Sequence, residues 1–432
     1  MRNFRQTILS SSKSVNLLVV LFFLTVFAVP LTFLGGDNTQ TINWVEGRRM
    51  TGFELGQRGF VTALRDLVKG DSAALKAVID EQFIKRAILI NVEQAASDQF
   101  PLRLAAIRTA KALDRLFIRL AYLFSADPAI PADMHSEYFI VREHPVIIPE
   151  PERFRESTLR VIDDRISNYE TLIAAHPEVN FYLYQIERIQ NSEQHPLYPY
   201  FEGLAGSQYS DYFRAHQPEG LVLGEFSINS FDDHLQYFYQ TDHHLNARGI
   251  LLVYHQIHEL LATHYPEISP ERSYDQFIGL QGVEFHGTAA RIAFHPLKET
   301  IFEVVDYALP PHRVYEHGEE ITYGNSADYL AGIFPQDDYF NHYEGFYGGD
   351  RGLIEFVFEN QPDRNLLVFG NSYDNALLPL IASHYHHTYS IDVRYFPDFS
   401  LSAFLEEYEV DDILIVGEDS VVFKSRRYQI NP

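Results

Sequence analysis

The sequence predicts an α/β fold with a mostly parallel central sheet covered by helices on both faces. Three observations predict it. Apolar runs of strand length recur after about residue 136, at Val179–Ile186, Leu221–Leu223, Leu366–Phe369, Tyr389–Val393 and Ile413–Val416. Helical patterns separate them, at 156–174, 246–263, 374–383 and 400–408. The runs read as buried strands, and strands alternating with helices build parallel sheets whose two faces are both covered.

Each element has a local reason. The helix over 246–263 places Ile250, Val253, Ile257, Leu260 and Leu261 on one side, with Asn246 suited to cap its start. Tyr138–Val141 and Val146–Ile148 read as a strand pair. Upstream, from about 52 to 126, Leu64, Leu67, Leu75 and Val78 recur at helical spacing, as do Leu113, Leu116, Leu120 and Leu123, and Pro128 and Pro131 close the stretch.

Residues 16–34 carry no charge and are close to the length that spans a bilayer as a helix. Arg2, Arg5 and Lys13 precede them, and the first charge afterwards is Asp37. Positive residues stay cytoplasmic, so residue 35 onward is expected outside. The run is longer than the apolar part of a signal peptide, and Pro30, Phe33 and Leu34 make a poor cleavage site. The expected organisation is a tail and uncleaved membrane anchor over 1–35, a helical juxtamembrane region over 36–135, and a main domain over 136–432.

Composition sets outer limits. A chain of 432 residues allows one large domain with appendages. A net charge of −25 argues against nucleic acid, whose binders need a basic face. The absence of cysteine excludes disulfides, thiolate zinc sites and a cysteine nucleophile. The 27 tyrosines and 33 phenylalanines serve cores first, and aromatic-rich clefts also suit sugars.

Two segments carry chemistry. Gly370-Asn371-Ser372-Tyr373 follows the strand ending at Phe369, where sites of parallel sheets lie, and a helix is expected from about Asp374. Backbone N–H groups at such a junction can receive charge developing on a carbonyl oxygen; a plain helix-capping serine is the simpler reading. Asp242-His243-His244 offers a carboxylate and imidazoles just before the helix that starts near Asn246. Asp242 and His244, two apart in an extended stretch, point the same way, so the carboxylate can orient the imidazole that takes a serine proton. Surface histidines and a metal site are the other readings of this segment. His384-Tyr385-His386-His387 reads as a solvated loop, and His255, His258 and Glu259 as a polar helix face.

Tyr239 to His244, with Gly249 following, resembles the bacterial DHHW protein family, whose members are SGNH-hydrolase-like and related to alginate O-acetyltransferases of the AlgJ and AlgX type. Other segments agree in order: Glu46-Gly47-Arg48, Asp80 to Arg86, Tyr343 to Asp350, Gly370 to Tyr373 with Pro379, His384-Tyr385, and Ile391 to Phe396. The resemblance implies a three-layer SGNH-hydrolase-like fold with Ser372, His244 and Asp242 as catalytic triad. The alginate enzymes read Asp-x-His-Trp, so His244 rather than His243 takes the role of base. Gly348, Gly349, Asp350 and Tyr373 are implied as oxyanion or substrate-orienting residues, with His243, Asn371 and Arg394 in support. The implied activity is O-acetyl transfer to, or removal from, a cell-surface polysaccharide. The acetyl group would come through a membrane-bound O-acyltransferase, with no cofactor and no metal ion called for. Leu245 stands where the family has Trp, Asn371 where it has Asp, and Asp350 where it has Asn. These departures define a second reading, a noncatalytic glycan-binding or scaffold protein of the same fold.

Overall fold

The structure is a computed structural model. It describes residues 131–432 except 136, 137, 308 and 325–340, together with 42–43, 48–49 and several helical residues between 107 and 117. The expected membrane segment, Glu46-Gly47, Asp80 to Arg86 and most of the expected juxtamembrane helices lie outside the described residues. Among those that are described, no helix is long and apolar enough to cross a membrane. The chain forms two compact units, residues 1–114 and 115–432. In the first, Ile42–Asn43 pairs antiparallel with Arg48–Arg49.

The second unit opens with a small antiparallel sheet of β1 (Ala132–His135), β2 (Tyr138–Val141) and β3 (Ile147–Pro149). β1 lies inside the stretch expected to be helical, so strand pairing begins just upstream of the expected boundary at 136. Then come α1 (Glu156–Ala175), β4 (Asn180–Ile186), α2 (Gln208–Ala215), β5 (Leu221–Phe226), α3 (Phe231–Tyr237) and α4 (Ala247–Leu261). An antiparallel arm of β6 (Tyr274–Phe285) and β7 (Glu299–Tyr307) encloses α5 (Thr288–Ala293). The chain continues through β8 (Arg313–Glu316), β9 (Glu319–Ile321), α6 (His342–Tyr347) and β10 (Leu353–Val357). It ends with β11 (Asn365–Phe369), α7 (Leu378–Ala382), β12 (His387–Ile391), α8 (Leu401–Glu407) and β13 (Asp412–Gly417).

Eight strands form the central sheet in the order β9-β8-β10-β12-β11-β13-β4-β5. The five from β12 to β5 are parallel. The three at the other edge are antiparallel and were not expected from the sequence. β8 and β9 join through His317 and Gly318, both at positive φ, the geometry of a tight two-residue hairpin.

Side chains of the central strands alternate between two cores. Tyr182, Tyr184, Ile186, Leu366, Val368, Leu414 and Val416 pack with Val253, Ile257 and Leu261 of α4. Phe181, Leu183, Leu367, Phe369, Ile413 and Ile415 pack with Ile162, Tyr169 and Leu172 of α1 and Phe404 of α8. Burial on both faces is why these strands read as unbroken apolar runs, and each such side chain contributes about 1.5–3 kcal/mol.

Two expectations need correction. The last-but-one strand spans His387–Ile391 rather than Tyr389–Val393, because Asp392 turns the chain by accepting from the Arg394 N–H (2.9 Å). The helix after Ser372 starts at Leu378, not near Asp374. Asn371 Oδ1 accepts from the Tyr373 N–H (3.1 Å), an Asx turn that diverts the chain, and Pro379 fits only the first turn of a helix.

Candidate active site

Ser372 stands three residues beyond β11, at the carboxyl edge of the parallel sheet. Asp242 and His244 come from the loop that joins α3 to α4. That loop is closed at its base by a bridge between Phe238 and Leu245 and by the Tyr239 N–H donating to the His244 carbonyl (3.2 Å). Asn246 then caps α4, accepting from the N–H groups of Arg248 (3.0 Å) and Gly249 (3.1 Å). A rigid helix start therefore fixes where the loop points.

The structure brings the three groups into one line. His244 Nε2 lies 2.8 Å from Ser372 Oγ, and His244 Nδ1 lies 2.6 Å from Asp242 Oδ1. Asp242 is fully engaged. Its Oδ1 also accepts from the His244 N–H (3.1 Å), and its Oδ2 from the Thr288 N–H at the start of α5 (2.6 Å). Burial alone would push this carboxyl up. The two adjacent imidazoles and these hydrogen bonds outweigh burial and hold it well below the usual carboxylate range. Gly287 permits the close approach of α5. A Cβ there would fall 2.4 Å from the Thr241 carbonyl oxygen and 2.6 Å from the Asp242 Cβ.

His243 does not reach the serine. Burial first, then the neighbouring His244, holds its ring well below the usual imidazole range, so it is neutral at pH 7. Its ring packs against His244 with centroids 4.0 Å apart, and its carbonyl accepts from the Tyr373 hydroxyl (2.8 Å). The nearest donor atoms of Asp242, His243 and His244 also lie within 4.8 Å of one another, close enough to hold a metal ion. Since both His244 nitrogens are committed to Asp242 and Ser372, a bound metal would compete with that relay.

Tyr343, from α6, is the neighbour that sequence reasoning did not place in the site. Its ring stacks on His244 with centroids 3.8 Å apart and planes 7° apart, and its hydroxyl donates to the Ser372 carbonyl oxygen (3.1 Å). Leu245, the residue after the histidine, is buried in the core beside α4. The Tyr343 to Asp350 block was the one available signal. Tyr343→Phe keeps the stacked ring and should lower kcat by less than about tenfold. Tyr343→Ala frees the imidazole and should lower kcat about 100-fold, with KM little changed. A loss carried by KM alone would refute the positioning role.

The Gly348 to Asp350 segment is tied to the serine turn. Asn375 Nδ2 donates to Asp350 Oδ1 (3.1 Å) and to the Gly348 carbonyl (3.4 Å). Asp350 Oδ2 pairs with Arg394, whose Nε donates to both Asp392 oxygens (2.9 Å each). The carboxylate is thus neutralised by Arg394 rather than turned on an oxyanion. Behind it, burial and then the Asp350 and Asp392 charges push the Asp374 carboxyl well up from the usual carboxylate range. Among the described residues the Ser372 N–H has no hydrogen-bond partner, which leaves it free to receive an oxyanion.

His384 is no solvated loop residue. It is buried, with Nε2 2.8 Å from the Tyr254 hydroxyl and Nδ1 2.7 Å from Ser269 Oγ, a satisfied ring that ties α4 to α7.

No family model and no curated protein matches the chain. Solved structures do resemble it. Bacillus cereus PatB1, in a structure carrying a sulfonyl adduct, superposes at a TM-score of 0.51 with 15% identity, over 70% of this chain and 97% of that one. A DHHW family protein from Eubacterium siraeum superposes at 0.51 with 15% identity, over 68% of this chain and 95% of that one. The O-acetyltransferase domain of Pseudomonas putida AlgJ reaches 0.35 with 9% identity, over 70% of this chain and 95% of that one. The first two share the fold, an α/β architecture with a large, mostly parallel sheet; the third is too distant to add to the argument. Fold does not fix chemistry, so function has to be argued from the residues.

Proposed function

We propose that this chain is a serine-dependent O-acetyltransferase or esterase of SGNH-hydrolase type, acting outside the cytoplasm on a cell-surface polysaccharide and held to the membrane through residues 16–34. The hydrogen-bonded line from Ser372 Oγ through His244 to Asp242 carries the reading, at 2.8 and 2.6 Å. Ser372 Oγ attacks the acetyl carbonyl while its proton passes to His244 Nε2. Asp242 holds the opposite ring nitrogen protonated and stabilises the imidazolium. Collapse of the tetrahedral species expels the donor alcohol, which takes that proton, and leaves acetyl-Ser372. A sugar hydroxyl, or water, then gives up its proton to His244 and takes the acetyl group, and His244 returns that proton to the departing Ser372 Oγ.

The polysaccharide acceptor, the membrane-bound O-acyltransferase that would deliver acetyl groups, and the extracytoplasmic location rest on the ordered motif resemblance and the charge pattern around residues 16–34. A further support comes from the related PatB1 fold with its sulfonyl adduct, since sulfonylating reagents trap activated nucleophiles. The test is mass spectrometry of the full-length protein after incubation with an activated acetyl ester. The peptide holding Ser372 should gain one acetyl group, and a polysaccharide acceptor should discharge it. Turnover of the ester without acetyl-Ser372 would sink the proposal. No turnover, with polysaccharide still bound, would leave the noncatalytic glycan-binding reading.

A further inference from the structure

The Asp242 carboxylate can orient His244 only if it is itself held, and its hold on the fold runs through its neighbour Thr241. Asp242 Oδ2 accepts from the Thr288 N–H (2.6 Å), and one residue earlier on both sides Thr241 Oγ1 accepts from the Gly287 N–H (3.0 Å). The Thr241 carbonyl also accepts from the Ala290 N–H (3.2 Å). Two successive loop residues are thus clasped to α5 and the turn before it, and a shift of Thr241 carries Asp242 with it. A hydroxyl that accepts a hydrogen bond still has its own proton to place. Thr241 is fully buried, so that proton must go to a protein acceptor.

Glu299 supplies the acceptor. It is the first residue of β7, and its Oε1 accepts from both the Thr241 hydroxyl (2.9 Å) and the Thr241 N–H (3.1 Å). The ladder pairs Glu299 with Phe285 of β6, whose ring packs on Tyr239 of the histidine loop with centroids 4.7 Å apart. The loop that carries Asp242 and His244 is therefore gripped by backbone N–H groups on one side and by a single carboxyl on the other.

A carboxyl is a costly acceptor for this place. Burial pushes it up to about 8, against the Thr241 hydrogen bonds that lower it, and the Asp242 charge acts in the same direction as burial. At pH 7 the acid is mostly protonated, so Oε1 still accepts while no second full negative charge stands beside Asp242. Glu299 lies outside every segment of the motif resemblance, and its hydrogen bonds go to Thr241 rather than to the reacting groups.

We infer that Glu299 is a positioning residue for the relay: through Thr241 it sets the Asp242 carboxylate, and with it the His244 ring, for proton transfer from Ser372. The kinetic consequence rests on the acyl-transfer reading above; the placement of His244 against Asp242 does not.

Glu299→Leu keeps apolar bulk and removes the acceptor. In full-length protein its kcat for an activated acetyl ester, counted per Ser372 able to take up acetyl, should fall about 10- to 100-fold, with KM within about twofold. Counting per acetylated serine removes the effect of partial unfolding, which is all that a merely structural role would produce. Glu299→Gln, the neutral shape of the protonated acid, should restore kcat to within about threefold of the parent. The double variant Thr241→Val, Glu299→Leu should lose less than the product of the two single losses, since both break one contact. A Glu299→Leu kcat within about threefold of the parent, a loss carried by KM, a glutamine variant as slow as the leucine one, or two losses that multiply would each overturn the inference. Should Glu299→Leu not fold, Thr241→Val takes its place throughout, with the same loss expected and the same limits. If the parent never forms acetyl-Ser372, the acyl-transfer reading falls, and the proton NMR signal of the His244 Nδ1–H bonded to Asp242 decides instead. Its presence in the parent and in Glu299→Gln, with loss in Glu299→Leu, upholds the inference, and an equal signal in all three overturns it.

Discussion

Ser372→Ala should lower turnover of an activated acetyl ester by about 10⁵- to 10⁶-fold, the loss typical when the nucleophile of a triad is removed. The substitution deletes one oxygen whose single side-chain partner is His244 Nε2. Ser372 is only part-buried, and the hydrogen bond from Tyr343 reaches its carbonyl rather than its side chain. Thermal stability should therefore stay within about 1 kcal/mol of the parent, because an exposed edge of the site loses one hydrogen bond. Activity that persists within tenfold of the parent, on protein of unchanged melting temperature, would mean that the serine is not the nucleophile.

Asp242→Asn should cost about 10³- to 10⁴-fold in kcat, and here stability should fall as well. The carboxylate accepts three hydrogen bonds, two at Oδ1 from His244 and one at Oδ2 from Thr288. An asparagine keeps one oxygen. Whichever way its amide turns, the NH₂ faces a backbone N–H or the protonated Nδ1, so a donor meets a donor. The imidazole then either loses its orienter or shifts its proton to Nε2, where it can no longer accept from Ser372. Leaving a buried donor unpaired costs about 1–3 kcal/mol.

The pH profile adds a signed check. The folded Asp242 carboxyl sits well below its unfolded value, so its contribution to stability is complete above roughly pH 4 and is lost as the pH falls toward the folded pKa. The asparagine variant should lack that part of the acid limb in a series of melts. Rate loss below tenfold, or an unchanged acid limb, would remove Asp242 from the relay.

Much of the central sheet was legible because of where it sits. β4, β11 and β13 are buried on both faces, and such strands announce themselves as apolar runs. β8, β9 and β10 are short and partly exposed, with mixed patterns, and gave no such signal. Asn246 was readable as a cap because capping is local chemistry. The turn after Ser372 was misread because Asn371 and Pro379 outweigh the helical periodicity of the residues between them.

Within the site, Asp242, His244 and Ser372 were singled out by the ordered motif resemblance, since their own segments also read as a capping serine and surface histidines. Thr288 was not, since it acts through a backbone N–H 46 residues from its acceptor. Tyr343 stacks through tertiary packing, to which spacing is blind. His384 was misjudged because a histidine satisfied by Tyr254 and Ser269 looks, in sequence, like one satisfied by water.

The strand order has a temporal meaning. β13, the last strand in the chain, lies between β11, which carries the serine, and β4, whose neighbour β5 leads to the histidine loop. The two halves of the relay are therefore stitched together by a strand that follows both of them in the sequence. Until Asp412–Gly417 is inserted, β11 and β4 each expose an unpaired ladder, and Ser372 has no geometric claim on His244. Such long-range closure is slow, and edges left open in the meantime invite wrong pairings. During synthesis, Ser372 can be brought to His244 only after β13 has entered the sheet between them.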